Sequence, residues 1–359
     1  MNGAIIGLGT IAGTGHLPAY LAMDGVRIVA VADITPARLE YARALCPGIR
    51  TYRTYQELLA AERDLDFVDI ATPPSHHLEI AEAAAARGLH VLCEKPLTTS
   101  TENARRLLTA AAQHKVVIFP CHNYKHAPVI KAVREVLASG VIGEVTASTL
   151  STFRTTHARG VADWLPDWRR VQQHSGGGIA MDHGSHSFYL MFLFMGAFPT
   201  SVSAKAERVN KSWDTEDNVA ASFSFPRGFS QVFLTWTAGA RKVIYTIQGQ
   251  KGAITINDDE FELATASGVD KRTIVSAFND ASHTSWFTSL FETFRSAVAS
   301  HDHVSRELEE AFMCCHLIER IYDSASAGSR ELPLERGFDP QRKPARRLVA
   351  RADGSLAAS

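Results

Sequence analysis

The sequence predicts an α/β protein in which a doubly wound parallel sheet of the Rossmann type is followed by a second domain built on an antiparallel sheet. Two observations predict this order. In the first third of the chain, apolar strand-like runs alternate with helical patterns, as they do when helices cover both faces of a parallel sheet. After residue 145, apolar and polar residues alternate along each run, which is typical of antiparallel strands with one exposed face.

The first domain contains strands and helices in regular succession. Its strand-like runs are GAIIG, VRIVAVAD, FVDIATP, LHVLCEK and VVIFPC. The helical patterns PARLEYARAL, HLEIAEAAAARG and TENARRLLTAAAQH lie between them, and APVIKAVREVLASG follows. Right-handed crossovers between such strands produce a doubly wound sheet. We place this domain at residues 1–123.

The second domain is predicted at residues 124–335. Its strands are expected in VTASTLSTF, SVSAKAERV, NVAASFSF, SQVFLTWTA, KVIYTIQG and AITIND. Two amphipathic helices, SWFTSLFETFRSAVA and RELEEAFMCCHLIERIYDSA, are expected to close the domain. The remaining residues, 336–359, form a basic tail that is predicted to be mobile, as chain ends commonly are; a clasp on a partner subunit is the alternative.

Charge and composition exclude several classes of protein. The formal net charge is −1, so no broad electrostatic field attracts nucleic acid or a membrane surface. The longest apolar run, FYLMFLFMGAF, is too short to span a bilayer, and the N-terminal MNGAIIGLG has no signal-peptide pattern. Five scattered cysteines show no CxxC pair and no metal-ligand spacing. We therefore predict a cytoplasmic protein without a metal site.

A glycine-rich turn follows the first strand and opens a helix. It reads Gly7-x-Gly9-x-x-Ala12, with Thr10 and Ile11 at the helix start. Gly7 permits the tight turn, Gly9 lets the backbone approach a pyrophosphate, and Ala12 is small enough for close packing of helix and strand. The free amides of the helix start then bind the phosphates. An ordinary turn of small residues is the alternative.

Further cofactor contacts are predicted at the ends of the strand-like runs VRIVAVAD and FVDIATP. Asp33 stands where an acid binds both ribose hydroxyls of NAD and repels the extra phosphate of NADP. Arg38 could reach a 2′-phosphate, so NADP stays possible, or it could be a solvated helix residue. Thr72 and Pro73 begin the loop at the end of FVDIATP, and His77 follows in the next helix, as a cofactor contact or a surface histidine.

The strand-like run LHVLCEK ends abruptly in Glu94-Lys95-Pro96. The carboxyl end of a central strand is where a doubly wound sheet presents ligands to its crevice. An ammonium at Lys95 can stabilise a developing alkoxide and relay a proton. Glu94 could orient Lys95 or meet the nicotinamide ribose. A plain turn with a solvated lysine is the alternative.

The segment GGGIAMDHGSH supplies a second candidate group. Asp182 and His186 are four residues apart and share a face of a helix, so the carboxylate could orient the imidazole as in other base–orienter pairs. Histidine titrates near neutrality, which predicts that oxidation rises between about pH 6 and 8. His183 should point elsewhere. An Asp–His pair without chemistry is the alternative.

Weaker substrate candidates lie between these groups. Asn123 follows the strand-like run VVIFPC and could meet the nicotinamide or the substrate. Arg154, Arg159, Trp168 and Arg169 could line a sugar site, because tryptophan stacks on sugar rings and arginine binds carboxylate or phosphate. Each residue taken alone is better interpreted as a surface or fold-supporting residue. As a group they hint at a negatively charged substrate.

Taken in order, GLGTIA...HLPA, ATPPSHH, HVLCEKPL, SGVIGEV, SGGGIAMDHGSH and IQGQKGAITI resemble the glucose–fructose oxidoreductase, inositol dehydrogenase and rhizopine catabolism (Gfo/Idh/MocA) family. The resemblance implies a large, mostly antiparallel open sheet in the second domain, and a proline after Lys95 that is often cis. The family pattern also puts the acid at Asp182 and the base at His186. The chain departs at Tyr189, where an acid is common, and at Lys125, where arginine is usual.

The resemblance implies NAD(P)-dependent hydride transfer at a hydroxyl-bearing carbon of a sugar, sugar derivative or cyclitol. It also implies a homodimer or homotetramer, and it favours neither nucleic acid nor membrane as a partner. Two alternatives stay open: a non-catalytic regulator that binds cofactor or sugar, and a sugar–sugar oxidoreductase with tightly bound cofactor. The substrate itself is not indicated.

Overall fold

The computed structural model describes residues 1–276, 283–335, 337–338, 348–350 and 356–358. The first six strands are β1 Asn2–Ile6, β2 Arg27–Ala32, β3 Arg50–Tyr52, β4 Phe67–Ile70, β5 His90–Cys93 and β6 Ile118–Pro120. They form one sheet in the order β3-β2-β1-β4-β5-β6, and every neighbouring pair is parallel. This is the predicted doubly wound sheet, with the short β3 as an addition.

Five helices connect these strands: α1 Leu17–Leu21, α2 Pro36–Leu45, α3 Tyr55–Ala61, α4 His77–Ala85 and α5 Thr101–His114. Local signals explain where they begin. Pro36 occupies the first turn of α2, where no backbone N–H is needed. The Ser100 hydroxyl caps α5 by accepting from the Asn103 amide at 3.1 Å.

The second sheet, within the described residues, has nine strands. They are β7 Val145–Phe153, β8 Ser201–Glu207, β9 Asn218–Ser224, β10 Phe229–Thr235, β11 Lys242–Gly249, β12 Gly252–Asn257, β13 Glu260–Thr265, β14 Gly268–Thr273 and β15 Leu332–Pro333. The order is β14-β13-β12-β11-β7-β10-β9-β8-β15. The β7–β10 pair is parallel and the other pairs are antiparallel, so the large, mostly antiparallel sheet is confirmed. The predicted strands omitted β13, β14 and β15.

One face of this sheet is covered by helices. Helices α8 Ser185–Met195 and α10 Arg306–Ser326 pack on it, against β7 and β8 respectively. Helix α6 Pro128–Ser139 and the short α7 Gln172–Ser175 precede them in the chain. Strand β9 alternates buried and exposed residues, as the period-two pattern predicts. Helix α8 contains most of the long apolar run, and nearly all of its residues are buried. Its all-round hydrophobicity follows from its position between neighbours.

Helix α9, Thr284–Ala299, corrects the prediction for the second domain. It packs on the parallel sheet, where Phe287, Phe291 and Phe294 join a core with Tyr20 and Phe67. The aromatic rings meet edge to face or tilted. The aromatic face of α9 buries more apolar surface there than an exposed position would, so the chain returns to its first domain after the large sheet.

The predicted mobile tail lies mostly outside the described residues. Within it the structure has two short strands, β16 Leu348–Ala350 and β17 Leu356–Ala358, which pair antiparallel. Among the helices in the described parts of the chain, none combines the length and apolarity that a bilayer crossing requires.

Candidate active site

A cleft of about 750 Å³ is lined by residues from both domains. Every predicted site residue except His77 lies on its wall. The glycine turn, Asp33 and Thr72 form one end, and the residues proposed for substrate form the other. The volume is within the range of small-molecule and cofactor sites. The cleft can therefore hold a dinucleotide and a small substrate side by side.

The glycine turn has the geometry that close approach to a pyrophosphate requires. Gly7 has φ +89°, and a Cβ there would lie 2.8 Å from the Thr72 amide nitrogen, so only glycine fits. A Cβ at Gly9 would meet nothing within 4 Å, which leaves the cleft open at this point. Ala12 is fully buried and begins a π-helical segment, Ala12–His16, that leads into α1.

Asp33 and Arg38 hold the glycine turn in place. The Asp33 carboxylate accepts from the amides of Leu8 and Thr35, both at 2.7 Å. Arg38 donates through Nε to the Leu8 carbonyl at 2.7 Å, and its guanidinium lies over the Tyr41 ring at 4.4 Å. Arg38 is thus tied to the turn and is not a solvated helix residue. Both side chains still border the cleft.

Two polar side chains of the cleft retain unused hydrogen-bonding capacity. Thr72 Oγ1 and Asn123 Oδ1 are buried without a partner in the described part of the chain. Buried polar atoms are nearly always satisfied, so atoms of this kind on a cleft wall indicate a ligand. Together with the glycine turn, the residues present fit a nicotinamide dinucleotide.

His77 corrects one predicted cofactor contact. Its side chain is fully buried and lies away from the cleft wall. Its Nε2 lies 2.8 Å from the Thr72 carbonyl and its Nδ1 lies 3.0 Å from the Pro96 carbonyl. The ring lies between the two loops, where it can donate to backbone carbonyls. Buried carbonyls need such hydrogen-bonding partners, so the role of His77 is structural. His76, one residue earlier, borders the cleft instead.

A buried charged cluster supports the Glu94 side of the cleft. His16 Nδ1 lies 2.9 Å from Asp69 and its Nε2 lies 3.4 Å from Glu94, while Tyr20 donates to Asp69 at 3.0 Å. Phe287 of α9 stacks on the His16 ring at 4.0 Å. Burial alone would lower the pKa of His16, but the charges and hydrogen bonds of Asp69 and Glu94 raise the pKa to about 9. The ring is therefore a buried imidazolium between two carboxylates.

The same cluster brings metal-type donors together. Atoms of His16, Glu94 and Cys121 lie within 4.8 Å of one another and form the set that, among the described residues, could hold a metal ion. Burial raises the pKa of the Cys121 thiol well above its usual range, and His16 keeps its proton. A metal would have to displace both protons, since thiolate and neutral imidazole are the binding forms. In the observed arrangement, the positive charge of protonated His16 balances the negative charges of the carboxylates.

His16 predicts a loss of stability at alkaline pH. The folded pKa of about 9 lies above the ordinary 6.5, which corresponds to about 3 kcal/mol present below pH 6.5 and lost as pH rises through about 9. Urea unfolding measured between pH 6 and 10 should show this decline. In His16→Asn the part of the decline due to this group should be absent, whereas exposed His114→Asn should keep it. Equal slopes in all three proteins would contradict the assignment.

Lys95 meets the second domain through Asp182. Its peptide bond to Pro96 is cis, as the resemblance implies. The Lys95 ammonium donates to the Asp182 carbonyl at 2.8 Å and to Oδ1 at 3.2 Å, and Arg169 Nε donates to the same Oδ1 at 3.2 Å. Burial would raise the pKa of Asp182, but Lys95 and Arg169 hold that pKa well below its usual range. The carboxylate is therefore ionised throughout the working range of pH.

The partner of His186 differs from the predicted one. Its Nδ1 lies 2.7 Å from the Tyr189 hydroxyl, and its ring stacks on Tyr124 at 4.0 Å. Asp182 Oδ1 instead lies near the charged groups of Lys95 and Arg169. Its Oδ2 lies 3.2 Å from His183 Nδ1. The predicted bond between Asp182 and His186 is therefore wrong. The carboxylate pairs with the charged donors near it instead, because hydrogen bonds between oppositely charged groups are the stronger ones. His183, expected to point elsewhere, is the histidine that contacts it.

The environment also corrects the expected titration of His186. Burial, followed by the positive charge of Lys95, lowers the pKa of His186 well below its usual value. Burial lowers the pKa of His183 to about 4, against the opposing pull of Asp182. Both rings are neutral at neutral pH. The rise in oxidation between pH 6 and 8 is therefore not expected from His186.

Several residues of the site were missed in the sequence. Tyr124 stacks on His186, Tyr189 contacts its Nδ1, and Arg241 lines the cleft from the segment before β11. Tyr189 carried a signal, since it stands where the family pattern has an acid. Arg241 carried none, because an arginine before a strand has no distinguishing local pattern.

Two family models and several known proteins are similar to this chain. Residues 1–122 match the oxidoreductase family with an NAD-binding Rossmann fold, and residues 130–255 match the GFO/IDH/MocA C-terminal domain. Oxidoreductase P35 of Formosa agariphila is 26% identical over 322 residues, 89% of this chain and 97% of that protein. Inositol 2-dehydrogenase of Rhizobium meliloti is 28% identical over 82% of this chain and 87% of that protein. A solved levoglucosan dehydrogenase with NADH has a TM-score of 0.81 at 22% identity, covering 94% and 99% of the two chains.

The fold and the cleft define an NAD-binding oxidoreductase with a Rossmann domain and a large-sheet domain. The chain belongs to the Gfo/Idh/MocA family, since models of both family domains match it in order over most of its length. The inferred resemblance is confirmed.

Proposed function

We propose that the protein transfers hydride between NAD and a hydroxyl-bearing carbon of a sugar, sugar derivative or cyclitol. The observation that supports this is the convergence of the Lys95 ammonium and the His186 imidazole on one cleft, beside the glycine turn. When bound, the nicotinamide accepts or supplies the hydride. The chain supplies position, charge and a proton acceptor.

Lys95 stabilises the substrate oxygen in this proposal. An ammonium has three hydrogens, and Asp182 accepts from it at two atoms, so one hydrogen is left for a substrate oxygen. As the hydroxyl loses its proton, the developing negative charge lies against the Lys95 charge. Asp182 and Arg169 keep the ammonium aimed, because they form one buried ionic group with it.

His186 exchanges the proton. Its imidazole is neutral and is held by the Tyr124 ring and the Tyr189 hydroxyl. The Tyr189 oxygen accepts from the Tyr124 amide at 3.1 Å, and a hydroxyl can still either donate to Nδ1 or accept from it. The Tyr189 hydroxyl can therefore hydrogen-bond to Nδ1 whether or not Nδ1 carries a proton. In either case Nε2 is left to accept or release the proton of the substrate.

Relatives support the substrate class and NAD. Inositol 2-dehydrogenase and levoglucosan dehydrogenase act on a cyclitol and a sugar derivative by their names, and the latter was solved with NADH. In this chain the Asp33 carboxylate at the ribose end of the cleft favours NAD over NADP.

A substrate panel tests the proposal. We expect NADH to form at 340 nm when purified protein is mixed with NAD and at least one of inositols, free sugars, uronic acids, sugar phosphates or nucleotide sugars. NADP should support a lower kcat/KM than NAD. Denaturing the protein and assaying the supernatant for nicotinamide separates a released cofactor from a tightly bound one. Cofactor binding without turnover of any substrate would favour the non-catalytic regulator.

The assembly and the compartment stay predictions. We propose a homodimer or homotetramer formed through the open face of the large sheet, on which Phe229 and Phe233 are exposed; a monomer in light scattering would contradict it. We place the protein in the reducing cytoplasm, because its five cysteines form no disulfide in the structure.

A further inference from the structure

The segment that carries Asp182 is held by Glu216, a residue of the loop between β8 and β9. Glu216 accepts from three consecutive amides: that of Gly178 through Oε2 at 2.9 Å, that of Ile179 through its backbone carbonyl at 3.1 Å, and that of Ala180 through Oε1 at 2.9 Å. These amides stand at the start of a π-helical segment, Ala180–Gly184, that leads into α8. Because the first amides of a helix have no partner within it, Glu216 provides from a distant part of the chain what an N-cap residue provides locally.

Two glycines permit this close contact. A Cβ at Gly178 would lie 1.8 Å from the Glu216 carbonyl oxygen, and a Cβ at Gly177 would lie 2.1 Å from the Tyr322 hydroxyl. The same hydroxyl donates to Glu216 Oε1 at 3.0 Å. A side chain at either glycine would therefore push the segment away from its partners. The glycine run fits the close approach of this segment to the β8–β9 loop and to α10.

A short path of hydrogen bonds leads from Glu216 to Lys95. Gly178 donates to Glu216 through its amide, and its carbonyl accepts from the Asp182 amide at 3.0 Å. Asp182 accepts from the Lys95 ammonium through both its carbonyl and Oδ1. Glu216 does not belong to the wall of the cleft, so any influence on a substrate oxygen must pass through Asp182 and Lys95.

We propose that Glu216 is a positioning residue, which holds the start of the helix so that Asp182 aims the Lys95 ammonium at the reacting oxygen. A displacement of about 1 Å at a catalytic group can lower turnover about 100-fold. Both carboxylate oxygens are required, because each serves a different amide, whereas a carboxamide has one acceptor oxygen and one donor nitrogen. This inference rests on the proposed function for the role of Lys95.

Replacing Glu216 with glutamine tests this role. Glutamine has nearly the same shape, but its NH2 group would face one of the two amide donors, so the segment should shift. With the most active substrate of the panel, we expect kcat per NADH-binding site to fall about tenfold or more. The KM and the NADH affinity should stay near their wild-type values. Counting sites by NADH titration removes the contribution of unfolded protein, which is the effect that a merely structural role would have.

A second measurement needs no turnover. Acetylation of Lys95 by N-hydroxysuccinimidyl acetate, followed by mass spectrometry of its peptide, reports whether Asp182 still covers the amine. We expect labelling of Lys95 to be about fivefold faster in Glu216→Gln, the factor that corresponds to loss of one hydrogen bond. An unchanged labelling rate overturns the proposal, and so does an unchanged kcat per site.

Asp217→Asn is the matched control. The Asp217 carboxylate also accepts from two consecutive amides, those of Val209 and Asn210 at 2.8 and 2.7 Å, but these follow β8 and do not belong to the segment that carries Asp182. This variant should lower the thermal stability and leave kcat per site and Lys95 labelling at wild-type values. Equal effects of the two variants would indicate a general loosening of the loop and overturn the assignment to Glu216. If Glu216→Gln does not fold, Glu216→Asp, whose oxygens lie one methylene farther from the amides, decides in the same way.

The result is distinguishable from failure of the proposed function. Faster labelling of Lys95 in Glu216→Gln, without NAD reduction by any substrate in the wild type, would support the positioning of Lys95 and contradict the hydride transfer. Reduction of NAD by Glu216→Gln at the wild-type rate per site would support the hydride transfer and contradict the positioning role.

Discussion

Replacing Lys95 with methionine is expected to lower kcat by about 10²- to 10⁴-fold, the range found when an electrostatic or acid–base group is removed. Methionine keeps much of the stem volume and removes the ammonium. NADH affinity should change little, because Lys95 pairs with Asp182 and not with the glycine turn. Asp182 keeps Arg169 as an ionic partner, so the protein should still fold. Steady-state kinetics and NADH fluorescence titration measure the two effects.

The control for this variant is Lys131→Met, at an exposed position of α6. It removes the same charge from the chain and should leave kcat at the wild-type value. Lys95→Met retaining more than about a tenth of wild-type kcat would contradict the role of the ammonium. Loss of NADH binding together with turnover would instead indicate a role in cofactor binding.

Replacing His186 with phenylalanine is expected to lower kcat by about 10²- to 10⁴-fold. Phenylalanine can keep the ring packed on Tyr124, and it removes the nitrogen that exchanges the proton. In the wild type, kcat/KM for oxidation should be level from about pH 6.5 to 8 as far as His186 is concerned. The reason is that burial and Lys95 hold the pKa of His186 well below its usual value of 6.5. A fall is expected only at more acidic pH, where the imidazole becomes protonated.

His114→Phe is the comparison, because His114 is exposed at the end of α5. It should reproduce the wild-type rate and pH profile. A step between pH 6 and 8 that disappears in His186→Phe would contradict the lowered pKa. Near-wild-type turnover in His186→Phe would refute the proton-exchange role and move it to another group of the cleft.

Local sequence was sufficient for much of the cofactor end. Gly7, Gly9 and Ala12 lie within six residues of one another. The turn that they form depends on local sequence and not on contacts with distant parts of the chain. Lys95 follows from the same logic, because the end of a central parallel strand is the ligand edge of the sheet. The alternation in β7 to β12 reports which face is covered. Hydrophobic periodicity therefore predicted both sheets.

The side-chain pairings could not be obtained in this way. The spacing of Asp182 and His186 allowed a bond between them, but it did not reveal that Lys95 and Arg169 would reach the carboxylate first. His77 had the position of a surface histidine, yet it is buried between two loops. Helix α9 has an amphipathic pattern that fits either domain. These outcomes depend on which of several partners is nearest after folding.

For this protein, the sequence alone determined the order of elements, the family and the edge of the sheet where chemistry occurs. Periodicity and short motifs act between residues that are close along the chain. Only the tertiary structure decided that Tyr189 holds His186, that His16 is charged, and that Lys95 pairs with Asp182. Those facts depend on burial and on charges brought together from distant parts of the chain, and both arise only when the domains pack.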